Sequence, residues 1–271
     1  MARRYGLVDG RFQPLGGEFR VAADDVATLA RPSIAVDRDG RALVAWSSGD
    51  VDGERVCARL MNVDPSAPTA TLTLSDDTTP RASNPAAAAL PSGFVVVWAE
   101  TDPAGRPARV VGQLLDADGT RRHPAFAVAE PGAAAQIEPS VDAAADGRFV
   151  VAWLARAGER YEAVCRVFAS DGRTAGPAIT AAHGDGWISG ATVAVAPDGR
   201  FVVGWNVERH DVVAETAIPG QPSRRPLSAD LWAQRFGRDG TVDGAPCRVN
   251  HATDGRQALT IAASSTTGTS A

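Results

Sequence analysis

Six residues with chemistry to offer fall in two breaks of an otherwise regular sequence. His183, Asp185 and Trp187 lie in His183-Gly184-Asp185-Gly186-Trp187, and Glu208, His210 and Asp211 lie in Glu208-Arg209-His210-Asp211. A tryptophan beside glycine on a loop can stack under a sugar ring while nearby acids and imidazoles bond its hydroxyls. The other reading of Trp187 is a cap on the edge of a sheet. Two His and two Asp could hold a metal, but their spacing matches no compact ligand motif, so no metal site is expected. Further acids stand in polar connections: Asp24-Asp25, Asp50 with Asp52 and Glu54, Asp76-Asp77, and Glu100 with Asp102. Such a rim would admit calcium or a polyol, and equally it would serve as a charged solvent face. A glycosidase needs two carboxylates facing one bond. The stretches able to line a channel are nearly bare of acids, with Asp142 in Val141-Asp142-Ala143 the main exception. No Ser-His-Asp set, Gly-rich phosphate loop or cysteine nucleophile is apparent.

The elements that must position these residues come from a fourfold repeat. Leu43-Val44-Ala45-Trp46, Phe94-Val95-Val96-Val97-Trp98, Phe149-Val150-Val151-Ala152-Trp153 and Phe201-Val202-Val203-Gly204-Trp205 place tryptophans 52, 55 and 52 residues apart. Each run is apolar on both faces, as a strand covered on both sides must be. Before each lies a short strand and a turn: Asp39-Gly40, Ser92-Gly93, Asp146-Gly147 and Asp198-Gly199. Asp-Gly between apolar runs predicts a tight primed hairpin turn. A third strand and a fourth, outer one complete each unit. Four antiparallel strands per ~50 residues is the pattern of a propeller blade, so the fold class is all-β, a β-propeller. The tryptophans then fill the gaps between blades.

Repeats fall at about 31–75, 84–129, 138–181 and 190–250. Residues 1–22 read as the outer half of a blade and residues 257–271, with Ala258–Ala263 as a first strand, as the complementary piece. The expectation is one domain over 1–271, five-bladed, with the fifth blade split between the two ends, and monomeric. The tail Ser264–Ser270 is a poor strand. From blade tryptophan to second-turn aspartate is 18, 20 and 18 residues, but 34 from Trp205 to Asp239. The extra residues, around Glu208–Asp230, read as a long irregular loop, functional or merely solvated. The net charge of −5 argues against nucleic acid. No apolar run is long enough to span a membrane, and no signal peptide precedes the repeats. Cys57, Cys165 and Cys247, odd in number and far apart, read as small buried residues.

The set Phe201–Trp205, Trp232-Ala233-Gln234-Arg235-Phe236-Gly237-Arg238-Asp239-Gly240 and Val249-Asn250 resembles a tandem repeat of large bacterial surface and secreted proteins. The resemblance runs from Arg3 to about Ala263. It implies a propeller-like fold in a surface or adhesive context and assigns no catalytic residue. Without a signal peptide, a cytoplasmic location is the other reading. The functional expectation is a non-catalytic binding or adhesion module, taking a glycan or protein ligand, with no required cofactor and its site on the rim near the fourth repeat. The two alternatives are a structural segment of a larger surface protein and a glycoside hydrolase-like enzyme.

Overall fold

The structure is a computed structural model that describes residues 2–3, 5–22, 28–49, 53–61, 69–75, 81–102, 104, 106–130, 134–182, 187–213 and 223–250. A two-stranded hairpin comes first, β1 (Tyr5–Val8) and β2 (Arg11–Pro14). Blade one is β3 (Thr28–Val36), β4 (Ala42–Gly49), β5 (Glu54–Met61) and β6 (Leu72–Thr73). Blade two is β7 (Ala82–Leu90), β8 (Gly93–Thr101), β9 (Pro107–Asp116) and β10 (Phe126–Ala127). Blade three is β11 (Gln136–Ala143), β12 (Phe149–Ala157), β13 (Arg160–Phe168) and β14 (Ile179–Ala182). Blade four is β15 (Trp187–Val195), β16 (Phe201–Val213), β17 (Ser223–Phe236) and β18 (Val242–Arg248).

Each blade is a four-stranded antiparallel sheet in simple meander order. The first strands β3, β7, β11 and β15 pack side by side in sequence and line the axis. This is a β-propeller, with four whole blades and a separate two-stranded hairpin among the described residues. The expected inner strand of a fifth blade, Ala258–Ala263, lies outside the described residues.

Three apolar cores alternate with the sheets. The first joins blade one (Leu43, Val56, Leu60) to blade two (Phe94, Val96, Trp98). The next joins blade two (Val95, Val97) to blade three (Phe149, Trp153, Phe168), and the third joins blade three to blade four through Trp205 and Phe236. Adjacent residues of one run thus face opposite cores, which is why Phe-Val-Val-x-Trp is apolar at every position. Trp98, Trp153 and Trp205 lie between blades, and Trp46 packs with Val21 and Ala22 of the N-terminal segment. Phe149 and Phe168 stack at 5.0 Å between ring centroids, and Phe201 and Phe236 at 4.8 Å.

A repeated polar clamp fixes the outer edge. Buried Gln113 donates through Nε2 to the carbonyls of Leu114 and His123, and Gln234 to that of Gly244. Arg59 and Arg166 take the same place, donating through Nε to the carbonyls of Thr69 and Gly176. The chain between third and fourth strands has no sheet partner for these carbonyls, so a long buried donor is needed.

The turns differ from expectation. At Asp9-Gly10 both residues take positive φ (51° and 73°), as a primed turn requires. In the blades glycine alone does: Gly40, Gly147 and Gly199 have φ of 78°, 86° and 89°. Asp146 and Asp198 instead accept the amides of Arg148 and Arg200. Asp-Gly here closes a longer turn, because the aspartate side chain supplies an acceptor that a two-residue turn has no use for.

Cys57 and Cys165 are buried as expected, while Cys247 is exposed on β18. No blade covers that strand among the described residues. Burial raises the Cys57 thiol and pushes Cys165 up to about 12 from 9.0. At pH 8 a maleimide is expected to label Cys247 first, while Cys165, its thiolate fraction lowered about 1000-fold, reacts only on unfolding. Mass mapping of the labelled peptides reads the order.

Candidate functional site

The four inner strands share one irregularity. Each has a bulge near its start, where pairing with the second strand slips between Ala30 and Ser33, Ser83 and Ala86, Ile137 and Ser140, and Ser189 and Thr192. At each slip one residue takes a left-handed backbone: Arg31 (φ 49°), Asn84 (56°), Glu138 (52°) and Gly190 (62°). Only the last is glycine. Arg31, Asn84 and Glu138 each precede proline, which further narrows their backbone freedom. A bulge bends its strand and re-aims a side chain, and it locally ends regular pairing. The consequence is a ring of strained positions, one per blade, all at the end of the axis where the long connections lie. Glu138 and Asn84 are half-buried and Arg31 is exposed. Sequence reasoning missed this ring. Its signal was present in Arg31-Pro32, Asn84-Pro85 and Glu138-Pro139, which occupy the repeat position that Gly190 occupies in blade four.

At the same rim Trp187 and Glu208 stand directly opposite each other across β15 and β16. Both are half-buried. Ser189, two residues along, donates its hydroxyl to Glu208 Oε1 at 2.6 Å. β15 packs against β11, which carries Glu138, and pairs with β16, which carries Glu208. Of the six candidates from sequence, Trp187 and Glu208 are thus brought together. His183 and Asp185 lie outside the described residues. His210 and Asp211 pair with Pro226 and Arg225 beyond the point where β15 stops.

That pairing corrects the expected irregular loop. β16 and β17 run on to Val213 and Ser223 as one antiparallel ribbon, with a slip between Arg209 and His210. The inserted residues extend the ladder because backbone groups of a long insertion find partners most economically in each other. His210 and Asp211 are carried outward along it, about 3.3 Å per residue, and away from Trp187.

Two other acids are not where their sequence context put them. Glu100 is buried rather than solvent-facing: it accepts the Trp98 indole N–H at 3.1 Å and the Arg109 Nε–H at 2.8 Å. Asp142 is a latch. Its Oδ2 accepts the amide of Val195 on the next inner strand at 2.7 Å and its Oδ1 the amide of Ala143. Ser140 takes the amide of Val193 in the same way, and Ser33 that of Ala87. These contacts tie the exposed edge of one inner strand to the side chains of its neighbour. Asp142→Asn is expected to cost about 1–2 kcal/mol of stability and to leave any activity within about threefold, read by denaturant melts beside turnover.

Among the described residues no group of three or more His, Cys, Asp or Glu side chains is placed to hold a metal ion. No described helix is long and apolar enough to cross a membrane.

No protein-family model matches the chain, and no curated protein does. Solved structures do. An endo-arabinase from Bacteroides thetaiotaomicron superposes with a TM-score of 0.48 at 12% identity, over 80% of this chain and 80% of its own. An alpha-L-arabinofuranosidase from Lactobacillus brevis gives 0.47 at 16% identity, over 85% and 76%. The β-propeller domain of the Trilobed protease from Pyrococcus furiosus gives 0.43 at 12%, over 85% and 59%. Five of eight such structures bear the names of glycoside-cleaving enzymes, which runs against the expectations of a non-catalytic binding or adhesion module and of a chain that is not an enzyme and towards the hydrolase alternative, while at these identities and TM-scores the likeness itself is one of fold. Those expectations rested on inner strands nearly bare of acids apart from Asp142, yet β11 also carries Glu138. The half-buried acids Glu138 and Glu208 stand instead at the rim end.

Proposed function

We propose that this propeller cleaves glycosidic bonds at the rim-side mouth of its channel, beside β15. The observation that carries the reading is Glu138, a non-glycine residue in left-handed backbone at the bulge that blades one and two repeat with Arg31 and Asn84. Strained backbone persists where surrounding structure overrides it, and such sites cluster where ligands are clamped. Glu138 and Glu208 are the two carboxylates of the reaction. One, as the acid, protonates the leaving oxygen; the other activates the water that adds to the sugar carbon, or attacks that carbon first. Trp187, facing Glu208, supports the apolar face of the ring. Arg31 and Asn84 offer hydrogen-bond donors to hydroxyls around the mouth.

The test is hydrolysis by the purified, folded chain of a panel of polysaccharides and aryl glycosides, α-L-arabinofuranosides included. Release of reducing ends is expected, falling at least about 100-fold in Glu138→Gln and in Glu208→Gln. A monodisperse, folded protein that cleaves nothing would end the reading. So would activity indifferent to both substitutions.

A further inference from the structure

Among the described residues the ring of blades has one open flank, and both of its walls are apolar. On blade one, Ile34 and Val36 are 60% and 58% exposed. Their counterparts Val141, Val193 and Val195 in later blades are buried, and Ala87 and Ala89 are packed into a core. Those residues are covered because each later inner strand lies against strands of the preceding blade: β7 against β3, β4 and β5, and β15 against β11, β12 and β13. On blade four, Val202 is 38% exposed, whereas Val95 and Val150 at the same repeat position are buried. β1 and β2 pair only with each other and are largely exposed. The segment that follows them packs on blade one through Phe19, Val21 and Ala22 against Val44 and Trp46, with Arg59 Nη1 donating to the Val21 carbonyl.

We infer that this flank is a strand-accepting slot and that its occupant is residues 257–263 of the same chain, Gln257-Ala258-Leu259-Thr260-Ile261-Ala262-Ala263. The connection lengths support this choice. Leu74, Val128 and Val249 play one role, each donating its amide to a third-strand carbonyl, of Val56, Val110 and Leu231. The next inner strand begins eight residues after Leu74, at Ala82, and eight after Val128, at Gln136. Eight residues after Val249 stands Gln257. The stretch that follows is small and apolar, like Pro85–Ala89 and Ala191–Val195. Seated innermost beside β3, it would cover Ile34 and Val36 and complete the wall of the channel mouth.

Hydrogen exchange on the intact chain reads this directly. Amides of 258–263 are expected to exchange at least about 100-fold more slowly than an unstructured peptide, independently of protein concentration. A chain ending at residue 256 should bind a hydrophobic dye at the uncovered walls. Ile34→Asp should speed exchange in 258–263 while leaving exchange in β11 unchanged. Free exchange of 258–263 in the intact chain would overturn the assignment. Protection that appears only with dimerisation, followed by light scattering, would overturn it too and give the slot to a second copy.

Discussion

Glu138→Gly is expected to raise the melting temperature and to remove the activity. A non-glycine residue in the left-handed region costs about 1–3 kcal/mol. Glycine adopts it freely, although it gives back about 0.5–1 kcal/mol through the entropy of the unfolded chain. The balance for Glu138 is a gain of about 1 kcal/mol, a few degrees in a chain of this size. Asparagine tolerates the left-handed region better than glutamate, so Asn84→Gly should be nearly neutral in stability. Gly190→Ala supplies the reversed control: its φ is 62°, and a Cβ there would lie 2.8 Å from Asn206 Nδ2. It should lower the melting temperature. Turnover by Glu138→Gly should fall about 100-fold or more, as loss of a general acid or base does. Stability rising as activity falls would show that the bulge is kept for chemistry. A lower melting temperature in Glu138→Gly would mean that the carboxylate holds the strand, and the strain argument would fail.

Trp98→Ala is expected to cost about 3–5 kcal/mol, the range for deleting a large aromatic from a core. That is a large share of the 5–15 kcal/mol of stability ordinary for a globular protein. Trp98 lies between blades one and two, and its indole donates to a carboxylate that is itself buried. Removing the ring leaves a cavity and takes one donor from Glu100, which keeps Arg109. Trp153 is as deeply buried, yet its indole nitrogen meets no acceptor among the described residues. The two tryptophans should therefore part company when replaced by phenylalanine. Trp98→Phe loses a hydrogen bond to a charged group, about 1.5–3 kcal/mol, whereas Trp153→Phe gives up none. Urea melts of the three single variants separate the packing cost from the polar one. Equal losses for the two Trp→Phe variants would refute the role assigned to Glu100.

The blades were legible in the sequence because their cause is periodic. A sheet covered on both faces needs an unbroken apolar run, and Phe-Val-Val-x-Trp announces one every fifty residues. The site was much less so. Glu208 and Trp187 drew notice only because they break the repeat, and nothing local shows that they face each other across one strand pair. The acids around them were harder to place. Asp142 stands alone in an inner strand and invites a catalytic reading, yet the edge of the next strand needs an acceptor and takes it. Glu100 reads as one of several exposed acids, yet an indole two residues back draws it inward. The ribbon beyond Glu208 hides because the Pro-rich stretch around Pro219, Gly220 and Pro222 reads as solvated chain and says nothing of how far the flanking strands continue. Glu138 carries a subtle trace: it precedes proline at a repeat position where another copy has glycine.

The layered cores also set an order of assembly. Among the described residues each of these cores joins two consecutive sheets, so the four blades behave as a short array in which cooperativity passes from neighbour to neighbour. Blades two and three have partners on both sides and form the natural nucleus. Their contacts are local in the chain, which favours rapid formation. Blades one and four join at the margins of that nucleus, with the N-terminal segment packed on blade one in turn, and these margins leave first. On the ribosome the same logic runs in one direction: blade one waits for blade two to emerge before its apolar face is covered, and each new blade shelters the one before it.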